Sequence, residues 1–243
     1  MDIKDIQKNW SEWGRVDPLF AILSYPDKRG NKWQIDEFFA TGKREIDREM
    51  NRLDALQIKF PRHKALDFGC GVGRVTQALA GYFDEVWGVD IAQPMIDLAN
   101  KYNRYSDRCH YYLNETDNLQ VFPDNSFDFI YSTTTFQHME PRYCKAYLKE
   151  FLRLLVPRGI SIFFLPILIS RGKQNIFGRF RETLRILTPN ILYKLYCKFK
   201  YGTTARIEMY TVSCEEIIDF VKRNGGEILD LWQKFGGYII RKL

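Results

Sequence analysis

ALDFGCGVGRV, residues 65–75, and the VWGVD that follows it at residues 86–90 decide how this chain folds. Ala65–Phe68 is a short apolar run interrupted by Asp67. Gly69, Gly71 and Gly73 then alternate with other residues, and a helical pattern starts at Arg74. A strand that runs through a glycine turn into a helix lets the backbone approach a ligand closely, with unpaired amides at the helix start facing it. The spacing excludes two kinds of guest. A dinucleotide site requires G-x-G-x-x-G, whereas these glycines follow G-x-G-x-G. A P-loop requires Lys-Ser or Lys-Thr after the loop, and neither follows.

Outward from that stretch, apolar runs alternate with helical ones. Strands are predicted at 65–68, 85–90, 110–113, 127–132 and 159–165, and helices at 74–83, 93–103 and 141–155. Near-continuously hydrophobic strands separated by helices predict a mostly parallel sheet covered on both faces. Ser213 with Glu216 forms a capping box for a further helix that Gly225 stops, and two strand-like runs from 226 to 240 joined by a very short turn predict an antiparallel hairpin. Upstream, Ile46, Met50, Leu53 and Leu56 lie at helical spacing. The stretch before them, rich in Trp10, Trp13, Phe20 and Tyr25, is expected to cover a pocket or to pack on the core.

The chain of 243 residues is expected to form a single domain. It divides into a helical N-terminal cover (1–60), a cofactor-binding core (61–165), an inserted lid (166–210) and a closing helix and hairpin (211–243). Its five cysteines, Cys70, Cys109, Cys144, Cys197 and Cys214, are odd in number and lack a C-x-x-C pair, and there are only three histidines, so neither a disulfide framework nor a zinc site is expected. The polar start MDIKDIQKNW is not a secretory signal, and a reduced cytoplasmic compartment is the expectation.

The net charge of +6 is concentrated. Between Ser170 and Arg206 nine basic residues face one acidic one, Glu182, leaving the remainder slightly acidic. Interleaved with apolar residues, this stretch predicts an amphipathic lid over an acceptor, with Arg179, Arg181 or Arg206 free to hold a substrate's acidic group. Peripheral contact with an anionic membrane surface and a merely solvated basic face are the alternatives. Nucleic acid is disfavoured because the body of the protein is not basic.

Charge also bears on the glycine loop. Asp67 precedes it, Asp90 ends the second strand where a ribose diol would bind, and Glu115 and Asp117 follow the third. A pyrophosphate is a poor guest among carboxylates at that sheet edge; S-adenosyl-L-methionine, a cationic adenosyl donor, is a good one.

The runs ALDFGCGVGRVTQALA, VWGVDIAQPMIDLA and NETDNLQVFPDNSFDFIYSTTTFQHM resemble the successive nucleotide-binding motifs of class I S-adenosylmethionine-dependent methyltransferases, in particular the small-molecule branch. The resemblance implies a Rossmann-like three-layer α/β sandwich whose seven-stranded sheet is mostly parallel with an antiparallel C-terminal hairpin, and a cytoplasmic enzyme that methylates a small or medium-sized acceptor. It implies that Asp67, Gly69, Cys70, Gly71 and Gly73 surround the donor's methionine moiety and that Asp90 binds the ribose hydroxyls. By the same likeness Ile91 and Met95 lie beside the adenine, Glu115 meets the adenine amino group with Thr116 next to it, and Ser132 and Thr133 adjoin the sulfonium.

His138, at the reactive edge of the sheet, is the candidate general base or orienter, with a packing role as the alternative. His63 and His110 start strands, at the opposite edge. Tyr210 is expected to re-enter the site after the lid. A non-catalytic, cofactor-binding scaffold of the same fold is the competing function, and no metal is expected.

Overall fold

A computed structural model describes residues 2–166, 198–199, 202–205, 207–232 and 236–243. Seven strands form one sheet in the order β3-β2-β1-β4-β5-β7-β6. They are β1 (Lys64–Phe68), β2 (Glu85–Asp90), β3 (Cys109–Leu113), β4 (Phe127–Ser132), β5 (Leu155–Phe164), β6 (Gly226–Trp232) and β7 (Gly237–Lys242). The first five run parallel, and β7 is inserted antiparallel between β5 and β6, as the expected hairpin requires. The order reverses at β1, so the carboxyl ends of β1, β2 and β4 open a crevice at the switch point.

Alternation along the central strands assigns the two faces. Leu66, Phe68 and Ile130 pack on one side with α6 (Pro141–Leu154) and α7 (Cys214–Arg223). Ala65, Phe129 and Tyr131 pack on the other with α3 (Ile35–Ala55) and α4 (Arg74–Leu79). Burial on both faces is why these strands read as continuous apolar runs. A third cluster joins α1 (Ile3–Val16) and α2 (Pro18–Ile22) to α5 (Gln93–Tyr102) through Trp13, Leu19, Phe20, Trp33, Phe38 and Met95.

Three boundaries differ from expectation. Helix α4 stops at Leu79, because the amides of Gly81 and Tyr82 turn back to Ala78 and Leu79 and close the chain toward β2. Helix α3 begins at Ile35, eleven residues ahead of the Ile46 that opens the predicted stripe, since Phe38 continues its buried face. Strand β5 starts at Leu155: Leu155 pairs with Phe127, then Ile160 with Phe129, and the surplus residues form a bulge in which Arg158 takes φ 66°. Of the 166–210 insertion most lies outside the described residues, including Arg179, Arg181 and Arg206.

Candidate active site

A cleft of about 700 Å3, counting its open mouth, occupies the crevice at the switch point. Its floor is the glycine loop. Gly69, Gly71 and Gly73 have φ of 76°, 53° and 82°, the left-handed region that side chains resist. A Cβ on Gly69 would fall 2.2 Å from Thr135 Oγ1, and one on Gly73 2.3 Å from the Tyr111 hydroxyl.

The loop's amides do not perform the role expected of them. Gly69 N and Cys70 N both donate to Val89 O at 2.8 and 2.9 Å, Gly73 N donates to Cys70 O at 3.0 Å, and Gly71 N donates to Asp90 Oδ2 at 2.9 Å. These four donors are spent on shaping the turn. What the glycines offer a ligand is close approach of backbone, which suits a cation better than a row of free N–H groups would.

Asp90 sits at the end of β2 with one oxygen held by Gly71 N and the other by Ala92 N, at 2.9 Å each. Surrounding protein pushes its carboxyl above the usual carboxylate range, while the amides of Ala92, Gly71 and Ile91 oppose that shift. Each carboxylate oxygen has a second lone pair and the residue lines the cleft, so a pair of hydroxyls fits there. With Ile91 and Met95 on the same wall, the residues present fit an adenosyl group.

Other expected contacts fall behind the cleft wall. Asp67 is 2% exposed and sits under the loop, its carboxylate accepting from Thr76 Oγ1 at 2.7 Å; burial pushes it up to about 7. The Cys70 thiol is buried and burial pushes it well above its ordinary value, which leaves it inert. Ser132 is buried and donates to Phe68 O at 3.0 Å. Thr133 presents its carbonyl to the hydroxyls of Thr134 and Thr135, and those two residues line the cleft in its place.

The turn after β3 is shifted by one residue from expectation. Glu115 is exposed and bonded to the Gln7 side chain of α1, whereas buried Asn114 lines the cleft. Thr116 closes the turn: its hydroxyl donates to Asn114 Oδ1 at 3.1 Å and its carbonyl accepts from Tyr147 at 2.5 Å.

The opposite wall comes from α1, α2 and the residues after β4. Ile6, Trp10 and Ile22 line it. Trp10 meets His138 edge-on with ring centroids 5.2 Å apart. Of the other prelude aromatics, Trp13 and Phe20 are buried in the third cluster and Tyr25 is exposed. Ile3, Ile6, Trp10 and Trp13 follow helical spacing, a signal in the sequence that would have placed one apolar face of α1 toward the sheet edge.

His138 also lines the cleft and is 7% exposed. Its Nδ1 lies 2.8 Å from the Glu208 carbonyl, which only accepts, so Nδ1 carries the proton and Nε2, 3.0 Å from Gln137 Nε2, accepts. Burial pushes its pKa below the ordinary value, so the ring is neutral near pH 7. Tyr210 returns beside it, its amide donating to Gln137 O at 2.7 Å and its hydroxyl to Glu208, and it does not line the cleft.

Residues 65–159 match the family model of a methyltransferase domain. Over these residues the chain is similar to S-adenosylmethionine-dependent methyltransferases. The chain is 34% identical over 124 residues to phosphoethanolamine N-methyltransferase 3 of Arabidopsis thaliana, a match covering 50% of this chain and 24% of the relative. It is 34% identical over 113 residues to 24-methylenesterol C-methyltransferase 2 of rice (Oryza sativa subsp. japonica), covering 45% and 30%. The chain thus spans about a quarter of the length of the curated relatives it matches. Magnesium protoporphyrin IX methyltransferase from Synechocystis with bound S-adenosylhomocysteine superposes with a TM-score of 0.62 over 99% of this chain and 98% of that one, at 16% identity. The chain therefore shares that fold while differing from it in most residues.

Proposed function

We propose that this protein transfers a methyl group from S-adenosyl-L-methionine to an O, N or C atom of a small or medium-sized acceptor. The observation that carries the proposal is Asp90: a carboxylate at the cleft floor, each oxygen anchored by one backbone amide and each with a lone pair left for a sugar hydroxyl. Bound there, the donor supplies an electrophilic methyl group on a sulfonium. The chain's part is to align acceptor and methyl and to exclude water, the kind of positioning that accounts for several kcal/mol of a barrier.

Asp90 grips the sugar, Ile91 and Met95 flank the base, and Asn114 faces its amino edge, with Glu115, the residue expected there, next to it at the rim. Gly69, Gly71 and the Thr134–Thr135 pair border the methionine end, next to Ser132 and Thr133. Asp67, Cys70 and Gly73 act through the shape of the loop. His138 is the candidate to take an acceptor proton at Nε2, which requires Gln137 to give up its hydrogen bond there. Its fixed tautomer supports that role, since the lone pair is held on the nitrogen opposite Glu208.

For the acceptor, the basic 166–210 insertion favours an acidic group or a lipid-like molecule, with Arg179 and Arg206 as its contacts and Tyr210 at the margin. The same stretch also suits peripheral contact with an anionic membrane surface. No helix among the described residues is long and apolar enough to cross a membrane. We infer a cytoplasmic setting from the reduced-cysteine composition.

Isothermal titration with S-adenosylmethionine, followed by a screen for S-adenosylhomocysteine release against pooled metabolites, tests the proposal. Binding with turnover is expected. Absence of binding sinks the whole assignment, whereas binding without any release across acceptors favours a scaffold. His138→Ala is expected to lower kcat at least tenfold, within the range for general acid–base catalysis, while leaving donor affinity within twofold.

A further inference from the structure

Behind the glycine loop, on the side away from the cleft, a helix that lies outside the matched 65–159 segment holds the loop's exit. Arg74 opens α4 directly after Gly73, and its side chain is 4% exposed. Its Nη1 lies 2.8 Å from Glu45 Oε2 of α3. The other oxygen of Glu45 accepts the Tyr131 hydroxyl of β4 at 2.8 Å. One turn earlier on α3, Gly42 approaches so closely that a Cβ there would fall 2.3 Å from the Arg74 carbonyl oxygen. Gly42 and Glu45, three apart, share one helix face. So α3 grips the end of the loop twice, once by backbone contact and once by a buried ion pair.

The pair also reaches the residue under the loop. Burial disfavours the charged form of Asp67, and the Thr76 hydroxyl and then the Arg74 charge oppose it. The Glu45–Arg74 pair and the Asp67–Thr76 pair thus lie on the same back side of the loop. Buried ion pairs are poor sources of stability, because desolvation consumes most of what their attraction returns. Their better attested use is to specify one arrangement. Here the arrangement specified is the path of Gly69–Gly73.

We propose that Glu45 is a positioning residue for donor binding: through Arg74 it fixes the glycine loop from behind, so part of the donor site is encoded in the N-terminal segment. This inference rests on the proposed donor binding. It differs from simple support of the fold, in which any equally buried carboxylate on α3 would serve as well. Glu49 provides that comparison: it is 2% exposed on the same helix and pairs with Arg48 rather than with Arg74.

The experiment is calorimetric titration of S-adenosylhomocysteine into wild type, Glu45→Gln and Glu49→Gln, each verified as folded by circular dichroism. Glu45→Gln is expected to raise Kd about tenfold, as loss of one partner of a buried pair would, with Glu49→Gln within about twofold of wild type. Equal Kd for all three overturns the inference, and so does an equal loss in both variants. If Glu45→Gln does not fold, Tyr131→Phe, which removes one hydroxyl from Glu45, is titrated instead; a rise of about threefold is expected from a lost hydrogen bond, and a Kd equal to that of Glu49→Gln overturns the inference. Failure of the wild type itself to bind marks failure of the donor assignment, and the positioning role falls with it.

Discussion

The floor and the roof of the cleft are built in opposite ways. On the floor, backbone amides find their partners within twenty residues or so: Gly69 and Cys70 N–H donate to Val89 O, and Gly71 and Ala92 N–H donate to the Asp90 carboxylate. Across the roof, side chains meet from far apart in the chain: Gln7 with Glu115 over 108 residues, Glu12 with Thr203 over 191, and the His138 ring with the Glu208 carbonyl over 70. The floor's geometry is set by short-range amide bonds within the loop, whereas the roof's is set by side chains from distant segments, and such contacts are expected to open at smaller cost.

From that contrast, floor substitutions should damage donor binding far more than roof substitutions. Asp90→Ala carries the largest expected effect. It removes a charged partner from two sugar hydroxyls and frees the Gly71 and Ala92 amides, and a loss of about 10- to 100-fold in S-adenosylmethionine affinity follows from the worth of charged hydrogen bonds. Titration checks it, with the thermal midpoint as control; unchanged affinity in a folded variant would break the comparison at its strongest point.

Gly69→Ala comes next. The methyl group meets Thr135 Oγ1 and the backbone is held at φ 76°, so the loop must shift. Strain of about 1–3 kcal/mol is expected, read as a lower unfolding midpoint together with weaker donor binding. Gly30, with φ 82° and nothing near its would-be Cβ, is the control for conformation alone, and Gly30→Ala should leave donor binding as it is.

Much of the floor was legible because it is local. The G-x-G-x-G spacing after Leu66 and Phe68 and the aspartate ending VWGVD fixed β1, β2 and the loop between them, and continuous apolar strands implied the two-sided sheet. The short turn after Trp232 implied the inserted antiparallel strand. What escaped was set by partners remote in sequence. Glu115 turns outward because Gln7 holds it, which leaves Asn114 in the cleft. The loop amides turn inward because Val89 and Asp90 take them. The bulge in β5 arises from register with Phe127 and Phe129, a pairing that no period in the β5 sequence reveals. Trp10 lay in plain view as one of several aromatics, and only its position across from His138 separates it from Trp13, which is core.

A third test probes the floor without touching a ligand. Asp67 is buried with its pKa raised to about 7, against an ordinary value near 4. Between those values the folded protein holds a proton that the unfolded chain does not, so this group's contribution to stability is intact below about pH 4 and is lost as pH rises through 7. Asp67→Asn, uncharged at every pH, should therefore gain stability relative to wild type as pH goes from 5 to 8, measured by denaturant unfolding at each pH. A constant difference across that range would show that Asp67 titrates normally. A smaller effect on the donor is expected from the same group, because it lies behind the loop: the cationic donor should favour the ionised form, so wild-type affinity declines modestly as pH falls below 7.

The smallest effect belongs to the roof. Trp10→Ala removes one partner of the aromatic pair with His138 and one apolar wall residue, while α1 keeps Asp2 as its cap and Ile6 and Trp13 as its buried anchors. An aromatic pair of this kind contributes about 0.5–1.5 kcal/mol, so donor affinity should fall by no more than roughly tenfold. The rates should separate from the affinity: a weakened roof opens more often, and stopped-flow measurement should show faster S-adenosylhomocysteine release with the association rate little changed. Release no faster than wild type, or an affinity loss as large as that of Asp90→Ala, would mean that α1 is part of the floor in energetic terms, and that the long-range contacts holding it act as a fixed wall around the donor.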